Sequence, residues 1–342
     1  MKSLKEYSLN ISEKDYHAYP AWSHSMVARY AREGFTSIAT IHEPIKETDS
    51  MKFGSLFDVL LTRPEDFDSE YAVTDTLPPP AEQNVLNTLY ALYPEYKKFD
   101  TIPDENIQYA ISICNYQPRW KYPSQYEHIA EHHGYYENLA SGKTFVSSAD
   151  YTDAIEMKQA FEDNEYVSMI FGHTQDASKI EYLYQMKFVA NMLVGKKKLR
   201  VKIMPDLLVV NHEDKTVQPV DLKTSSASAI SFKDNFLKFR YDIEASMYSD
   251  VIRVIMDEAG YEEYTILPYL FADISRSDKL PLVFSYPQYD ETQLNGLSFK
   301  DYNYKGWRNL LDEIVEYENT NAVVPAGFSI DGPNDLLILL NS

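Results

Sequence analysis

Asp206 and Asp221 are the residues whose type and spacing most directly imply chemistry. They lie in Met204-Pro205-Asp206-Leu207-Leu208-Val209-Val210 and in Pro219-Val220-Asp221-Leu222-Lys223-Thr224. If His212-Glu213-Asp214-Lys215 is a four-residue hairpin loop, Asn211 faces Thr216, and the same register sets Asp206 opposite Asp221. Facing residues share one side of a sheet, with Cβ atoms ~5 Å apart. Lys223, two residues beyond Asp221, shares that side. Facing carboxylates repel unless neutralised, and oxygen-rich clusters suit Mg²⁺ or Mn²⁺. A neighbouring ammonium can hold a water or hydroxide and offset charge on a phosphate, so the trio suits metal-assisted phosphodiester hydrolysis. A surface hairpin with a cross-strand ion pair would carry the same residues. Pro219 cannot donate a ladder hydrogen bond, which predicts an edge position or a bulge that shifts the register by one.

These strands need a scaffold. Strict alternation over Lys179 to Phe188 predicts a strand. Lys197 to Ile203, Asp206 to Asn211 and Thr216 to Lys223 predict three more, and Ile266 to Ile274 and Leu282 to Tyr286 two late ones. Helices are predicted at Met26 to Tyr30, Ser55 to Leu61, Val85 to Tyr93, Asn106 to Tyr116, Asp150 to Phe161 and Trp307 to Tyr317. A long one is predicted from about Asp234 to Glu258, ended by Gly260. Helices, then consecutive strands, then helix and strands imply an α/β or α+β fold, with a central mixed sheet covered by helices. The expected division is an N-terminal helical part at 1–80, a helical insertion or cover at 81–165, the core at 166–320 and a tail at 321–342.

Composition narrows the class. The chain has 342 residues, with 44% hydrophobic and 25% charged, which is globular and not disordered. Its net charge of −20 disfavours wide nonspecific binding to nucleic acid or acidic lipid. The single cysteine, Cys114, excludes an internal disulfide and a cysteine-ligated zinc site. Met1 to Pro20 is a polar stretch lacking the apolar core of a signal peptide, and no apolar run is long enough to span a membrane, so no membrane association is expected. His132 and His133 are adjacent and lack zinc-ligand spacing, and no other histidine is given a role. Against the acidity, Lys196, Lys197, Lys198, Arg200 and Lys202 precede the hairpin, and Lys233, Lys238 and Arg240 follow it. Alternation puts Lys198, Arg200 and Lys202 on one face. Flanking basic residues of this kind fit a phosphate track, and equally an ordinary solvated hairpin.

Pro205-Asp206 followed by Asp221-Leu222-Lys223 resembles the PD-(D/E)XK nuclease superfamily. More narrowly, the chain resembles phage-type exonuclease VIII (RecE-like) proteins. Ser23 to Tyr30 matches their Ser-capped helix. Met51-Lys52-Phe53-Gly54-Ser55-Leu56-Phe57-Asp58 matches a segment with glycine and, four residues on, histidine, where this chain has Asp58. Glu181 best matches the family's strand glutamate. Glu244-Ala245-Ser246-Met247-Tyr248 matches a helix with glutamine and tyrosine four apart, with glutamate replacing glutamine. Tyr304-Lys305-Gly306-Trp307 is similar to a closing aromatic segment. The resemblance runs through residues 20–320 and is thin over 80–150.

The resemblance implies a nuclease that degrades DNA from an end with Mg²⁺ or Mn²⁺, in phage-type recombination with a single-strand annealing protein. It also implies possible ring assembly from identical subunits and a cytoplasmic location in a bacterial host. Asp206, Asp221 and the Leu222 carbonyl would ligate metal. Glu181 would do so directly or through water. Lys223 would orient the attacking water. Glu244 and Tyr248 would contact the DNA backbone or brace Lys223. Asp58, on one helical face with Gly54, is expected to be a further oxygen ligand, the alternative being an aspartate paired with Arg63. An endonuclease and a non-catalytic scaffold for DNA ends or proteins remain as alternatives.

Overall fold

The structure is a computed structural model and describes residues 2–45, 48–74, 77–172, 179–286, 296–299 and 302–320. The expected tail at 321–342 lies outside the described residues. The chain divides into two compact units. One is Ser55–Lys158, and the other combines Met1–Gly54 with Gln159–Ser342. The inserted unit thus begins well before residue 81.

The Ser55–Lys158 unit is mainly helical. Val85, Leu86 and Leu89 of the helix Pro80–Leu92 pack with Ile107, Ala110 and Ile111 of Asp104–Ile113 and with Ile129 and Tyr136. Its only described strands, β1 (Tyr71–Val73) and β2 (Thr144–Val146), pair in parallel.

In the other unit, β3 (Ile180–Tyr184) is followed by β4 (Phe188–Val194), β5 (Lys197–Ile203), β6 (Leu207–Asn211) and β7 (Thr216–Ser225). The expected single strand over Lys179 to Phe188 is therefore two strands in different sheets. The break falls at Gln185, whose φ of 53° ends the extended run. β4 and β5 form their own antiparallel pair. Phe188, Ala190, Met192 and Val194 are buried, with exposed Asn191 and Leu193 between them. Trp22 adds to the free side of β5, accepting from Lys202 N–H and donating to the Arg200 carbonyl.

β6 and β7 belong to the central sheet with β8 (Thr265–Ile266), β9 (Leu270–Ser275) and β10 (Pro281–Ser285). The order is β10-β9-β7-β6-β3, with β8 also on β7. β7 runs parallel to β8 and β9 and antiparallel to β6, so the sheet is mixed. The parallel connection is helical, as such crossovers require. It consists of two helices, Phe232–Phe239 and Tyr241–Ala259, where one had been expected. Arg240 breaks them apart, in the left-handed region at φ 58°. Gly260, at φ 81°, caps the second. The strands β11 (Gly296–Phe299) and β12 (Tyr302–Lys305) pair with each other, and the helix Trp307–Thr320 follows.

Pro219 sits in mid-strand without a bulge, opposite Leu208. The carbonyl of Val217 accepts from Leu267 N–H, so odd-numbered amides of this strand face β8 and β9. β8 pairs only with Thr216 and Val217, and β9 begins opposite Val220. In a parallel pair the return bond to the Leu267 carbonyl would come from the N–H of residue 219; Pro219 has none, and the β8 pairing stops at Val217 before β9 takes over at Val220.

Candidate active site

β6 and β7 pair with Asn211 opposite Thr216 and Leu207 opposite Val220. One step further, Asp206 stands opposite Asp221. Asp206 precedes β6, and its side chain completes the ladder there: Oδ2 accepts the Leu222 N–H at 2.7 Å. Gln185 Nε2 donates to Oδ1 at 3.3 Å. Because N–H and C=O of an extended residue project to the same edge, the Leu222 carbonyl is also directed toward that side.

Lys223 is the centre of the cluster. Its Nζ lies 2.7 Å from Asp221 Oδ2, off the axis of a hydrogen bond, and donates to Glu244 Oε2 at 3.0 Å and Oε1 at 3.3 Å. The ammonium also lies 4.7 Å from the centre of the Tyr241 ring. Burial alone would lower the lysine pKa, but Asp221 and Glu244, with a smaller contribution from Asp206, hold it well above its ordinary value. Lys223 is charged. Asp221 moves the other way: burial and then the Glu244 carboxylate push it above the usual carboxylate range, against the pull of Lys223. One cation faces a surplus of carboxylates in a desolvated place, an arrangement that is costly to break from either side.

The helix Tyr241–Ala259 supplies Glu244 and, one turn on, Tyr248, both buried. His24, first residue of the helix His24–Glu33, completes the wall. Its Nδ1 lies 3.8 Å from Glu244 Oε1, and its ring stands edge-on to Tyr248 at 6.3 Å. Nε2 is buried without a hydrogen-bond partner. Burial, reinforced by Lys223, lowers the His24 pKa to about 3, so the imidazole is neutral. From β9, Asp273 stands directly opposite Lys223 in the sheet register. Its carboxyl is buried, has no hydrogen-bond partner at Oδ2, and is pushed up to about 7 by burial and then by Asp278. Nothing in the sequence marked His24 beyond its place in the Ser-capped segment. Asp273 was hidden in an apolar strand, where a charged residue on the face of Lys223 was the available signal.

Several other expected site residues lie elsewhere in the same unit. Glu181 pairs with Val210, in the cross-strand row of Val217. That row is four positions from Asp221, roughly 13 Å along the strand. Its carboxylate accepts from Ser3 Oγ at 2.8 Å and lies 3.7 Å from His212 Nε2. Lys202 is buried, with its ammonium donating to the carbonyls of Tyr16, His17 and Tyr19 at 2.8–2.9 Å. It closes the C-terminus of the helix Glu13–Ala18, whose last carbonyls it satisfies, and is no surface contact. Arg240 is also internal. It makes two bonds to Asp242, at 2.9 and 3.0 Å, and one to the Lys305 carbonyl. Lys198, Arg200 and Lys238 are exposed. Asp58 belongs to the Ser55–Lys158 unit, in the helix Asp49–Thr62, where its charge helps raise the pKa of Arg63.

Among the described residues, no group of three or more His, Cys, Asp or Glu side chains is arranged to hold a metal ion. A smaller donor set is present in Asp206, Asp221 and the Leu222 carbonyl. All are hard oxygen donors, and Mg²⁺ is commonly held by one or two carboxylates with water and substrate phosphate. The excess negative charge around Lys223 fits such a cation.

No protein-family model matches the chain, and no curated protein matches it. A crystal structure of SSO0001 resembles 58% of this chain and 81% of that one, at 11% identity and a TM-score of 0.27. That likeness is too weak to carry an argument. No helix among the described residues is long and apolar enough to cross a membrane.

Proposed function

We propose that the protein is a metal-dependent DNA nuclease that hydrolyses phosphodiester bonds from DNA ends. The observation that carries this reading is the β6–β7 register, which sets Asp206 opposite Asp221 with Lys223 2.7 Å from the Asp221 carboxylate. Asp206 and Asp221, with the Leu222 carbonyl, would hold Mg²⁺ or Mn²⁺. The ion would supply Lewis-acid polarisation of the scissile phosphate and its attacking water. Lys223 orients that water and offsets charge accumulating on the phosphate oxygens. Glu244 holds Lys223 in place from the helix. Exposed Lys198, Arg200 and Lys238 give the phosphate backbone its contacts. A single-strand annealing protein, and further copies of this chain, are the partners such an activity would use, in the cytoplasm of a bacterial host.

The test is digestion of end-labelled linear DNA and of closed circular DNA with Mg²⁺, Mn²⁺ or EDTA. Loss of linear DNA alone, abolished by EDTA and by Asp221→Asn, is the expected result. Cleavage of both substrates would make the protein an endonuclease. Intact DNA in every reaction would leave a binding scaffold. One observation favours that second reading: Lys223 is already bound between two carboxylates.

A further inference from the structure

Residues 106–126 of the inserted unit contain no Asp or Glu, in a chain that carries 52 of them. The stretch runs from the helix Asp104–Ile113 through a loop into the helix Tyr122–Ala130. In that loop Arg119, Trp120 and Lys121 are consecutive and exposed, the tryptophan by 42%. The other two tryptophans are covered: Trp307 is fully buried and Trp22 half-buried. The loop that presents Trp120 is held in place. Gln125, itself buried, donates from Nε2 to the carbonyls of Tyr116 at 2.7 Å and Gln117 at 3.1 Å. Trp120 N–H donates to the Gln117 carbonyl at 2.8 Å. Gln117 adopts φ 44°, in the left-handed region that residues other than glycine and asparagine rarely enter, and that persists only where the surroundings impose it. The Trp120 ring packs against His128 at 4.8 Å and Tyr116 at 6.5 Å, which fixes the indole and leaves its remaining surface in water. The carboxylates that reach these supporting rings have partners there: Glu82 accepts from the Tyr116 hydroxyl at 2.7 Å, and Glu131 lies 3.9 Å from His128 Nδ1. A loop free to move would turn an indole away from water, whereas this one holds it out.

We propose that this loop is a stacking platform for single-stranded DNA, with a base laid on the exposed indole and the neighbouring phosphates met by Arg119 and Lys121. The choice of DNA rests on the nuclease reading, but the platform uses none of the residues of the Asp206–Asp221 cluster. Every unpaired base offers a flat π face, so stacking on an aromatic side chain is tolerant of sequence, and flanking cations follow the backbone. A stretch without carboxylates spares the phosphates repulsion in an otherwise acidic protein. A closed duplex keeps its base faces stacked on one another and has none to offer. An enzyme that shortens one strand from a duplex end leaves the complementary strand unpaired, and that strand is the ligand this loop fits.

The experiment compares wild type with Trp120→Phe, which keeps a π face, and Trp120→Leu, which stays apolar and loses it. The probe is a single-stranded oligo-dT, added in EDTA, with affinity read by fluorescence anisotropy of the labelled strand. Trp120→Leu should bind about tenfold more weakly than wild type, and Trp120→Phe within about threefold of it. Tryptophan emission should be quenched by the strand in wild type and scarcely at all in Trp120→Phe, because Trp22 and Trp307 are covered. A duplex closed at both ends by hairpin loops of abasic linker should bind all three proteins alike. Equal single-strand affinity for wild type and Trp120→Leu overturns the inference, as does unquenched wild-type emission, or a loss of the same size on the closed duplex. Digestion of linear duplex in Mg²⁺ is scored separately. Binding that depends on Trp120 without digestion by wild type would keep the platform and reject the nuclease, and digestion with binding indifferent to Trp120 would do the reverse.

Discussion

Two hairpins that follow one another in the chain, β4–β5 and β6–β7, put charge to opposite uses. In β6–β7, Asp221 and Lys223 point into the molecule, where Glu244 and His24 close around them. In β4–β5, Lys198 and Arg200 point outward, and the third basic residue of that face, Lys202, is held under backbone carbonyls. Both strands alternate. What differs is the layer over each face: the helix Tyr241–Ala259 brings a carboxylate to one, and the segment Tyr16–Tyr19 brings bare carbonyls to a single position of the other. A charged residue on a strand acquires its role from what covers it.

That contrast can be broken at several points. Replacing Lys223 with Met leaves Asp221 and Glu244 buried without their cation, and should cost about 3–5 kcal/mol of stability, measured by urea unfolding. A loss below about 0.5 kcal/mol would mean that water reaches the cluster freely. Lys202→Met should cost about 2 kcal/mol by stranding carbonyls, while affinity for DNA stays at the wild-type value. A selective loss of affinity at unchanged stability would return Lys202 to the phosphate track.

Acid should separate the two regions next. His24 has its pKa lowered from 6.5 to about 3 in the folded protein. Its contribution is complete above pH 6.5 and declines as pH falls toward 3, because only the unfolded chain takes the proton. The slope from this residue is at most about 1.4 kcal/mol per pH unit. His24→Gln should therefore be less sensitive than wild type between pH 6.5 and 4 in urea titrations, and parallel curves would refute a buried neutral imidazole. The smallest effects belong to Lys198→Ala and Arg200→Ala. Stability should change by no more than about 0.5 kcal/mol. If each contacts a phosphate, the salt dependence of DNA binding should flatten by about one unit of slope. An unchanged slope would make them solvated charges only.

The sequence was most legible where local rules act alone. The Asp206–Asp221 register followed from loop length, and Gly260 ended its helix as a left-handed cap. The mixed sheet with helical cover was also legible from element order. Three features were set by tertiary contacts instead. Gln185 interrupts an alternation that continues across it, so two sheets read as one strand. Arg240 adopts a conformation normally left to glycine because Asp242 and the Lys305 carbonyl hold its guanidinium. Pro219 makes no bulge, and the ladder bond it cannot donate shows instead as the end of the β8 pairing. Within the site, strand-face parity located Asp221 and Lys223. It could not say that Glu244 would arrive from a helix, nor that Glu181 would serve Ser3 and His212.

The two-part make-up of the larger unit has a consequence for how the protein is born. Ser3 meets Glu181, 178 residues downstream, and Trp22 waits for β5 on the far side of the inserted unit. At ~5–20 residues per second, a ribosome needs roughly 10–35 s to deliver those partners. Throughout that interval the helix His24–Glu33 has emerged with Val27 and Ala28 uncovered, while the Ser55–Lys158 unit can already collapse on its own apolar residues. Vectorial synthesis therefore delivers the whole inserted unit before the strands that cover the segment preceding it are available.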